Sequence, residues 1–504
     1  MSALPVSGAA QASFGTRALR GTVWTALRYA VESGLRLASN LILTRLLFPE
    51  AFGLMALVNV LMIGLAMFSD IGITTSVVQS PRGDDARYLR TAWTLQVARG
   101  VLLSGVAALL ASPMAEFYGQ AELRSLVPAA GLTALISGFN SMSLIRFQRH
   151  LQLGKLAALE LTSQFVSIAV MIAWAALSPS VWALVAGGLL GALLRLALSY
   201  GVSREDRLGF AWDRESSRQL LGFGKWIFVS TMLFFMAGQA DRLIFGRMLS
   251  VSALGVYGIA LMLASLPIQV LWSIGSSVLL PAFSRQAGSR ASLDASYRRA
   301  QLPVMVLGGL PVACLIACGP ELIALLYDPR YADAGWMLQL LALGAWLQIP
   351  QTLSANALMA LGVPRWIAIG NGVKLAAMLA LLPAGFALYG VPGAIGGLAA
   401  AEAFRYATFA SAVRGVGLPA LRADLAFSGL TLAAVVAGSV AVEGLDRSGA
   451  GPFLQVSGAL AVILGVWLPA TAFLLRHEIP DLRERIRSTW QGRAVRVRED
   501  PRAP

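Results

Sequence analysis

Residues 51–77 read AFGLMALVNVLMIGLAMFSDIGITTSV, and nothing in residues 51–69 ionises. A helix rises about 1.5 Å per residue, so roughly 20 such residues cross the hydrocarbon core of a bilayer. The run is apolar on every side, whereas the surface helix of a soluble domain keeps a polar outer face. The same composition extends outward along the chain. Of 504 residues, 57% are apolar and 13% charged, about half the charged share of a soluble domain. Windows of about 19 residues give about fourteen spans: 21–46, 51–77, 92–112, 124–145, 156–178, 180–201, 222–246, 252–280, 301–326, 335–360, 365–388, 392–413, 424–442 and 453–475. The connections are short, the longest being 202–220, 281–300 and the tail 476–504. The sequence predicts an all-α polytopic membrane protein and excludes a soluble enzyme.

The net charge of +14 does not point to nucleic acid, because the arginines sit in short loops between apolar runs, where anionic lipid surfaces select them. Cys314 and Cys318 lie four apart inside one apolar run and read as packing residues. The only histidines, His150 and His477, are far apart in the sequence, which offers no histidine-based metal or catalytic cluster. Gly154-Lys155 and Gly224-Lys225 lack the Ser or Thr that completes a phosphate loop. No cofactor, metal or catalytic residue is expected. The first apolar run carries Arg28, Glu32 and Arg36, unlike a cleavable signal peptide.

Charge orients the spans. One alternating set of loops holds Arg17 and Arg20, then Arg82, Arg87 and Arg90, then Arg146, Arg149 and Lys155, and continues through 204–218, 285–299, Arg365, Arg414 and Arg422 to the tail. The opposite set holds Arg45, Arg124, Arg247, Arg330 and Arg447. The excess favours both termini in the cytoplasm, and so an even number of spans. The expected organisation is a cytoplasmic segment 1–20, a lobe of six helices over 21–201, a cytoplasmic linker 202–220 and a second such lobe over 221–413. Two further helices over 424–475 and a basic cytoplasmic tail 476–504 follow, the tail reading as a segment lying on the anionic leaflet.

The two lobes match one another. At an offset of 202, Trp24 meets Trp226, Arg45 meets Arg247, Leu47 meets Leu249, Ala51 meets Ala253 and Gly53 meets Gly255. At an offset of 209, Ala86, Tyr88 and Arg90 meet Ala295, Tyr297 and Arg299, and Tyr118 meets Tyr327. The second copy starts six spans after the first, so both enter the membrane in the same direction. Parallel repeats imply a pseudo-two-fold axis along the membrane normal, with substrate between the halves.

An ionisable residue at mid-bilayer costs about 2.5–3.5 kcal/mol. Arg28, Glu32 and Arg36 recur every fourth residue and share one face of the first helix, with Asn40 one step further. Such a face must line water or a partner helix. Arg99, Lys374 with Asn371, and Glu402 with Arg405 are the other charges placed at depth, while Asp70 and Asp241-Arg242 lie near helix ends. Cations in excess of acids need an anion, and arginine forks suit a phosphate or pyrophosphate. Candidate substrate residues are Arg28, Glu32, Arg36, Arg99, Lys374 and Arg405. Glu32, Asp70 and Glu402 are the acids available for coupling to protons or sodium, and the sequence does not choose among them.

Arg45-Leu46-Leu47-x-Pro49-Glu50-x-Phe52-Gly53-Leu54, Asp70-x-Gly72, Phe223-Gly224, Asp241-Arg242-x-Ile244-x-Gly246-Arg247 and Leu254-Gly255-x-Tyr257 resemble the polysaccharide-export and O-antigen-type flippases of the multidrug/oligosaccharidyl-lipid/polysaccharide exporter superfamily. The similarity runs over about residues 16–415. It implies a bacterial inner-membrane protein with two six-helix lobes in a V around a cationic cavity. It also implies translocation of undecaprenyl-pyrophosphate-linked oligosaccharide to the periplasmic leaflet for exopolysaccharide, capsule or O-antigen, alongside membrane lipids and polysaccharide assembly proteins. Gly53, Asp241, Arg242, Gly246, Arg247 and Gly255 carry over as structural motif positions. A drug/cation antiporter of the same superfamily would want an acidic, aromatic site, against the basic one here. A membrane enzyme of lipid-linked glycan assembly would want sizeable external loops, which the chain lacks.

Overall fold

The structure, a computed structural model, describes residues 31–69, 72–202, 209–418 and 421–476. The expected segment 1–20, Arg28, Asp70 and the tail beyond residue 476 lie outside those residues. Among the described residues every regular element is helical. Helix α1 covers 31–46. It is followed by α2 (Pro49–Phe68), α3 (Ile73–Gln79), α4 (Ala86–Tyr118), α5 (Leu123–Gly138), α6 (Ser143–Arg149), α7 (Leu153–Leu177) and α8 (Trp182–Gly201). Then come α9 (Arg214–Met248), α10 (Val251–Ile274) with α11 (Leu280–Ser284) continuing it, α12 (Arg290–Ala317), α13 (Gly319–Leu326), α14 (Ala334–Ala360), α15 (Arg365–Gly415), α16 (Leu421–Arg447) and α17 (Pro452–Arg476). Among the described residues, nine helices are long and apolar enough to cross a membrane.

Helix ends follow local chemistry. Asp85 caps α4 by accepting from Arg87 N at 3.0 Å, and Asp213 caps α9 by accepting from Ser216 N at 3.0 Å. The expected spans 51–77, 124–145 and 301–326 are each broken. Gly72 adopts φ 70° between α2 and α3, Phe139 closes α5, and Cys318 separates α12 from α13. The 51-residue α15 is two helices. Tyr389 and Gly390 leave helical geometry, Gly390 at φ 62° and ψ −146°. A methyl on Gly385 would come within 2.2 Å of Gly393 O, and one on Gly397 within 2.6 Å of Leu381 O. Pairs equally spaced about residue 389 make a tight antiparallel hairpin.

The chain divides into two compact units. The first is Met1–Ala260 with Leu326–Ala334 and Asn371–Leu398; the second is Leu261–Leu325, Gly335–Gly370 and Ala399–Pro504. In the second, Phe283, Tyr297, Val312, Leu358, Phe427 and Trp467 share one core, and the rings of Phe427 and Trp467 meet edge to face at 5.2 Å. Both rings also close on Gly309 of α12, where a methyl would come within 2.5 Å of Phe427 Cζ and 2.8 Å of Trp467 Cη2, which seats α16 and α17 on that helix. In the first, α1, α2 and α7–α8 share a cluster around Leu43, Leu47, Ala175 and Ala183.

Within the first unit the matching positions of the sequence repeat touch. A methyl on Gly53 would lie 2.0 Å from Val251 O, and one on Gly255 would lie 1.9 Å from Pro49 O. Val251 and Gly255 are the 202-offset counterparts of Pro49 and Gly53, so the contact maps onto itself when the copies are exchanged. Self-complementarity of this kind is what a two-fold relation produces. Only glycine lets these backbones approach so closely.

Candidate functional site

On α1 the four-residue spacing puts Glu32, Arg36 and Asn40 on one face. Glu32 is half-buried and its carbonyl accepts from Gln164 Nε2 of α7 at 3.1 Å; Arg36 is exposed. Asn40 Oδ1 accepts from Tyr327 OH at 3.1 Å. Side chains from outside α1 thus reach its backbone at Glu32 and its polar face at Asn40.

Arg99 projects from α4 to the end of α2. Its Nε donates to Ser69 Oγ at 2.9 Å and its Nη2 to Ala66 O at 2.6 Å. The last carbonyls of a helix lack intrahelical donors, so Arg99 satisfies the end of α2. It also lines a cavity of about 420 Å³ between α2, α4 and α5, within the usual range of ligand pockets. Asn59, Gln96, Thr133 and Ser137 supply its other polar groups, and Met62, Ile63 and Leu103 part of its apolar wall. Gln96 Nε2 donates to Gly138 O at 2.9 Å and Asn140 O at 3.1 Å, which fixes the rim. Lys374 is half-buried in the first half of α15, three residues after buried Asn371. Glu32, Arg36, Arg99 and Lys374 therefore all belong to the first unit.

Glu402 and Arg405 belong to the second. Arg405 Nη1 stands 3.6 Å from Glu402 Oε2, and its guanidinium lies 5.3 Å from the centre of the Phe409 ring. Glu402 is 2% exposed, and Gln351 Nε2 reaches its carbonyl at 3.2 Å and its Oε2 at 3.5 Å. The Arg405 charge is thus matched by a buried acid on its own helix. Asp424 is a buried acid that the sequence reading passes over. One oxygen accepts from Gln301 Nε2 at 2.7 Å and the other from Tyr406 OH at 2.8 Å, tying α12, α15 and α16 together. Its signal is an acid at the threshold of an apolar window.

The motif positions cluster in the first unit. Asp241 is buried and its Oδ2 accepts from Tyr257 OH at 2.5 Å, with the Tyr257 ring edge-on to Phe245. Arg242 Nη1 donates to Gln239 Oε1. A methyl on Gly246 would come within 2.5 Å of Leu57 Cδ2 and 2.8 Å of Tyr118 Cε1. Arg247 is exposed in the last turn of α9, where a cation meets the negative end of the helix dipole. Among the described residues no group of three or more His, Cys, Asp or Glu is placed to hold a metal ion.

The profile of the family described as "Polysaccharide biosynthesis protein" matches residues 42–335, more than half of the chain. The chain belongs to the polysaccharide biosynthesis protein family. Similar proteins carry such names. The succinoglycan biosynthesis transport protein ExoT of Rhizobium meliloti is 25% identical over 66% of this chain and 67% of its own. The lipopolysaccharide biosynthesis protein WzxC of Escherichia coli is 22% identical over 65% and 67%. Among solved structures, the lipid II flippase MurJ in an inward closed conformation covers 90% of this chain and 99% of its own, at a TM-score of 0.71 and 10% identity. An inward-facing multidrug transporter of the MATE family covers 78% and 98% at a TM-score of 0.60 and 15% identity. This member of the polysaccharide biosynthesis family therefore has the all-α fold of those transporters and is a multi-pass bacterial membrane protein.

Proposed function

We propose that this protein is a flippase, not an enzyme, that carries undecaprenyl-pyrophosphate-linked oligosaccharide from the cytoplasmic to the periplasmic leaflet of a bacterial inner membrane. The product would serve exopolysaccharide, capsule or O-antigen assembly. One observation carries this reading: of the charges that the sequence places at membrane depth away from helix ends, the cations Arg36, Arg99 and Lys374 and the acid Glu32 fall in one compact unit. An excess of cations over acids at that depth is costly unless an anion joins them. A pyrophosphate offers several oxygens to such donors, and a cationic drug would be repelled. ExoT and WzxC are named for succinoglycan and lipopolysaccharide biosynthesis, which agrees with a glycan cargo.

In this mechanism the pyrophosphate docks on cations of α1, α4 and α15, joined by Arg28, which lies outside the described residues, while the isoprenoid chain stays in lipid. Local neutralisation lowers the cost of taking the anion through low dielectric. The glycan crosses through water as the two repeats alternate access, with both termini in the cytoplasm. Glu32, Asp70 and Glu402 are the acids for coupling the cycle to an ion.

The test is native mass spectrometry of the purified protein with undecaprenyl pyrophosphate, undecaprenol and a cationic dye. The pyrophosphate lipid should be retained selectively. Arg36→Gln with Lys374→Gln should weaken it by roughly 10- to 100-fold, the value of one or two charge-assisted hydrogen bonds. Preference for the dye would replace the flippase with the antiporter, and equal retention of all three would remove the site.

A further inference from the structure

Glu402 lies midway between the turn at Gly390 and the end of α15 at Gly415. At 1.5 Å per residue that is about 18 Å from the turn, near the middle of a hydrocarbon core about 30 Å thick. Glu402 is more buried than Asp241 or Asp424. Those two acids each accept from a tyrosine hydroxyl, at 2.5 and 2.8 Å. The contacts of Glu402 Oε2 with Gln351 Nε2 and Arg405 Nη1 are longer, at 3.5 and 3.6 Å.

Two polar atoms of those same neighbours are unsatisfied. Gln351 Oε1 and Arg405 Nε are buried, and neither makes a hydrogen bond among the described residues. Leaving a buried acceptor or donor so is costly, and here one of each stands beside a buried acid. The charges around that acid are few. Helix α14 meets it at Gln351 and at Gly344, where a methyl would lie 3.8 Å from Glu402 Cγ, and α14 holds no ionisable residue. On α15 the nearest is Arg405, Tyr406 is committed to Asp424 of α16, and Arg414 follows about three turns on.

A metal cation at Glu402 would sit beside the Arg405 guanidinium and be repelled. A proton instead removes the negative charge and puts an O–H in its place, which needs an acceptor. Gln351 has one to give, because an amide turned end for end offers oxygen where it offered nitrogen. We propose that Glu402 is the proton-binding site of this protein: protonated, it donates to Gln351 Oε1 and yields Arg405 to an anion. The inference rests on the flippase reading and selects one of its three acids. Protonation strands the guanidinium as a buried charge, which is costly until an anion takes the place of the carboxylate. Proton and anion therefore favour one another, each raising the affinity for the other by the same factor.

Infrared difference spectroscopy of the protein in nanodiscs, stepped in pH with no substrate present, reads the C=O stretch of protonated carboxyls. One component should rise as pH falls, vanish in Glu402→Gln and move to higher frequency in Gln351→Met, which removes the acceptor. A spectrum that Glu402→Gln leaves unchanged overturns the site; should that variant not fold, an unmoved component in Gln351→Met does so. The anion probe is a prenyl pyrophosphate ester of one sugar, since a diester keeps its charge where a phosphate monoester titrates. Its affinity should rise about ten-fold as Glu402 protonates, the worth of a charge-assisted hydrogen bond. Glu402→Gln should bind it at the tighter level at every pH, and Arg405→Gln at the weaker one. The same pH dependence in Glu402→Gln as in the unaltered protein overturns the exchange. Should the ester bind at no pH while the Glu402 component is present, the flippase reading falls and the proton site stands.

Discussion

Arg149, read as sequence, is one more loop cation that biases orientation. In the structure its Nη1 donates to Val77 O at 3.0 Å, Val78 O at 2.8 Å and Ser80 O at 2.8 Å, and its Nε to Asp84 Oδ2 at 3.0 Å. One guanidinium therefore closes the end of α3 and anchors the loop behind it. Burial alone would raise the Asp84 carboxyl, but hydrogen bonds from His150 and Arg149 outweigh it and hold the group below the usual aspartate range. Arg149→Ala should lower stability by about 2–4 kcal/mol, since it strands carbonyls together with a carboxylate. Lysine should restore only part, because an ammonium cannot reach the same fork of acceptors. Thermal unfolding of the three proteins in one detergent decides it; equal midpoints would leave Arg149 a surface charge. Composition located Arg149, Glu402 and Arg405, because charges in an apolar chain stand out. Glu402 and Arg405 pair with each other three residues apart on one helix, whereas the partners of Arg149 are not legible, because its acceptors are carbonyls about 70 residues away in sequence, supplied by where another helix stops.

Average hydropathy over about 19 residues reads the helices well where a span is uninterrupted, as in α7, α8 and α17. It cannot see a helix end inside an apolar run. Residues 51–77 look continuous, yet Gly72 at φ 70° separates α2 from α3, because a single backbone conformation contributes nothing to an average. The hairpin in α15 was legible for the opposite reason: Gly390 and Pro392 punctuate the run between two windows. Gly390 at φ 62° and ψ −146° occupies a region where a Cβ clashes with the backbone. No other atom lies within 4 Å of where that Cβ would sit, so the penalty for alanine is conformational alone. Gly390→Ala should cost about 1–3 kcal/mol, and Gly34→Ala, also in open space but in regular helix, should stabilise by about 0.5–1 kcal/mol. Opposite signs in the same unfolding assay test the hairpin geometry. A neutral Gly390→Ala would mean the turn is not held there.

At the scale of the molecule, the offsets of 202 and 209 identify which residues correspond, and the structure adds that some of the corresponding residues meet. Sequence similarity reports common ancestry of two segments but carries no information on whether they touch. That needs an axis passing close to both, and the Gly53–Val251 and Gly255–Pro49 approaches supply its signature. That contact accounts for two motif glycines, Gly53 and Gly255, which face backbone, while Gly246 is accounted for separately by Tyr118 and Leu57. A two-fold contact also makes a thermodynamic prediction that two unrelated contacts would not. Gly53→Ala and Gly255→Ala should each cost about 1–3 kcal/mol, as overpacking forces backbone apart. Moving the α1–α2 and α9–α10 corners away from each other relieves both clashes together, so the second alanine meets a gap the first has already opened. The double variant should therefore be less destabilised than the sum of the singles by about 0.5 kcal/mol or more. Gly255→Ala combined with Gly390→Ala, two sites without shared neighbours, should add within about 0.5 kcal/mol. Strict additivity in the first pair would show that the two approaches yield separately, and the pseudo-two-fold contact would then be a resemblance of positions without a shared mechanical unit.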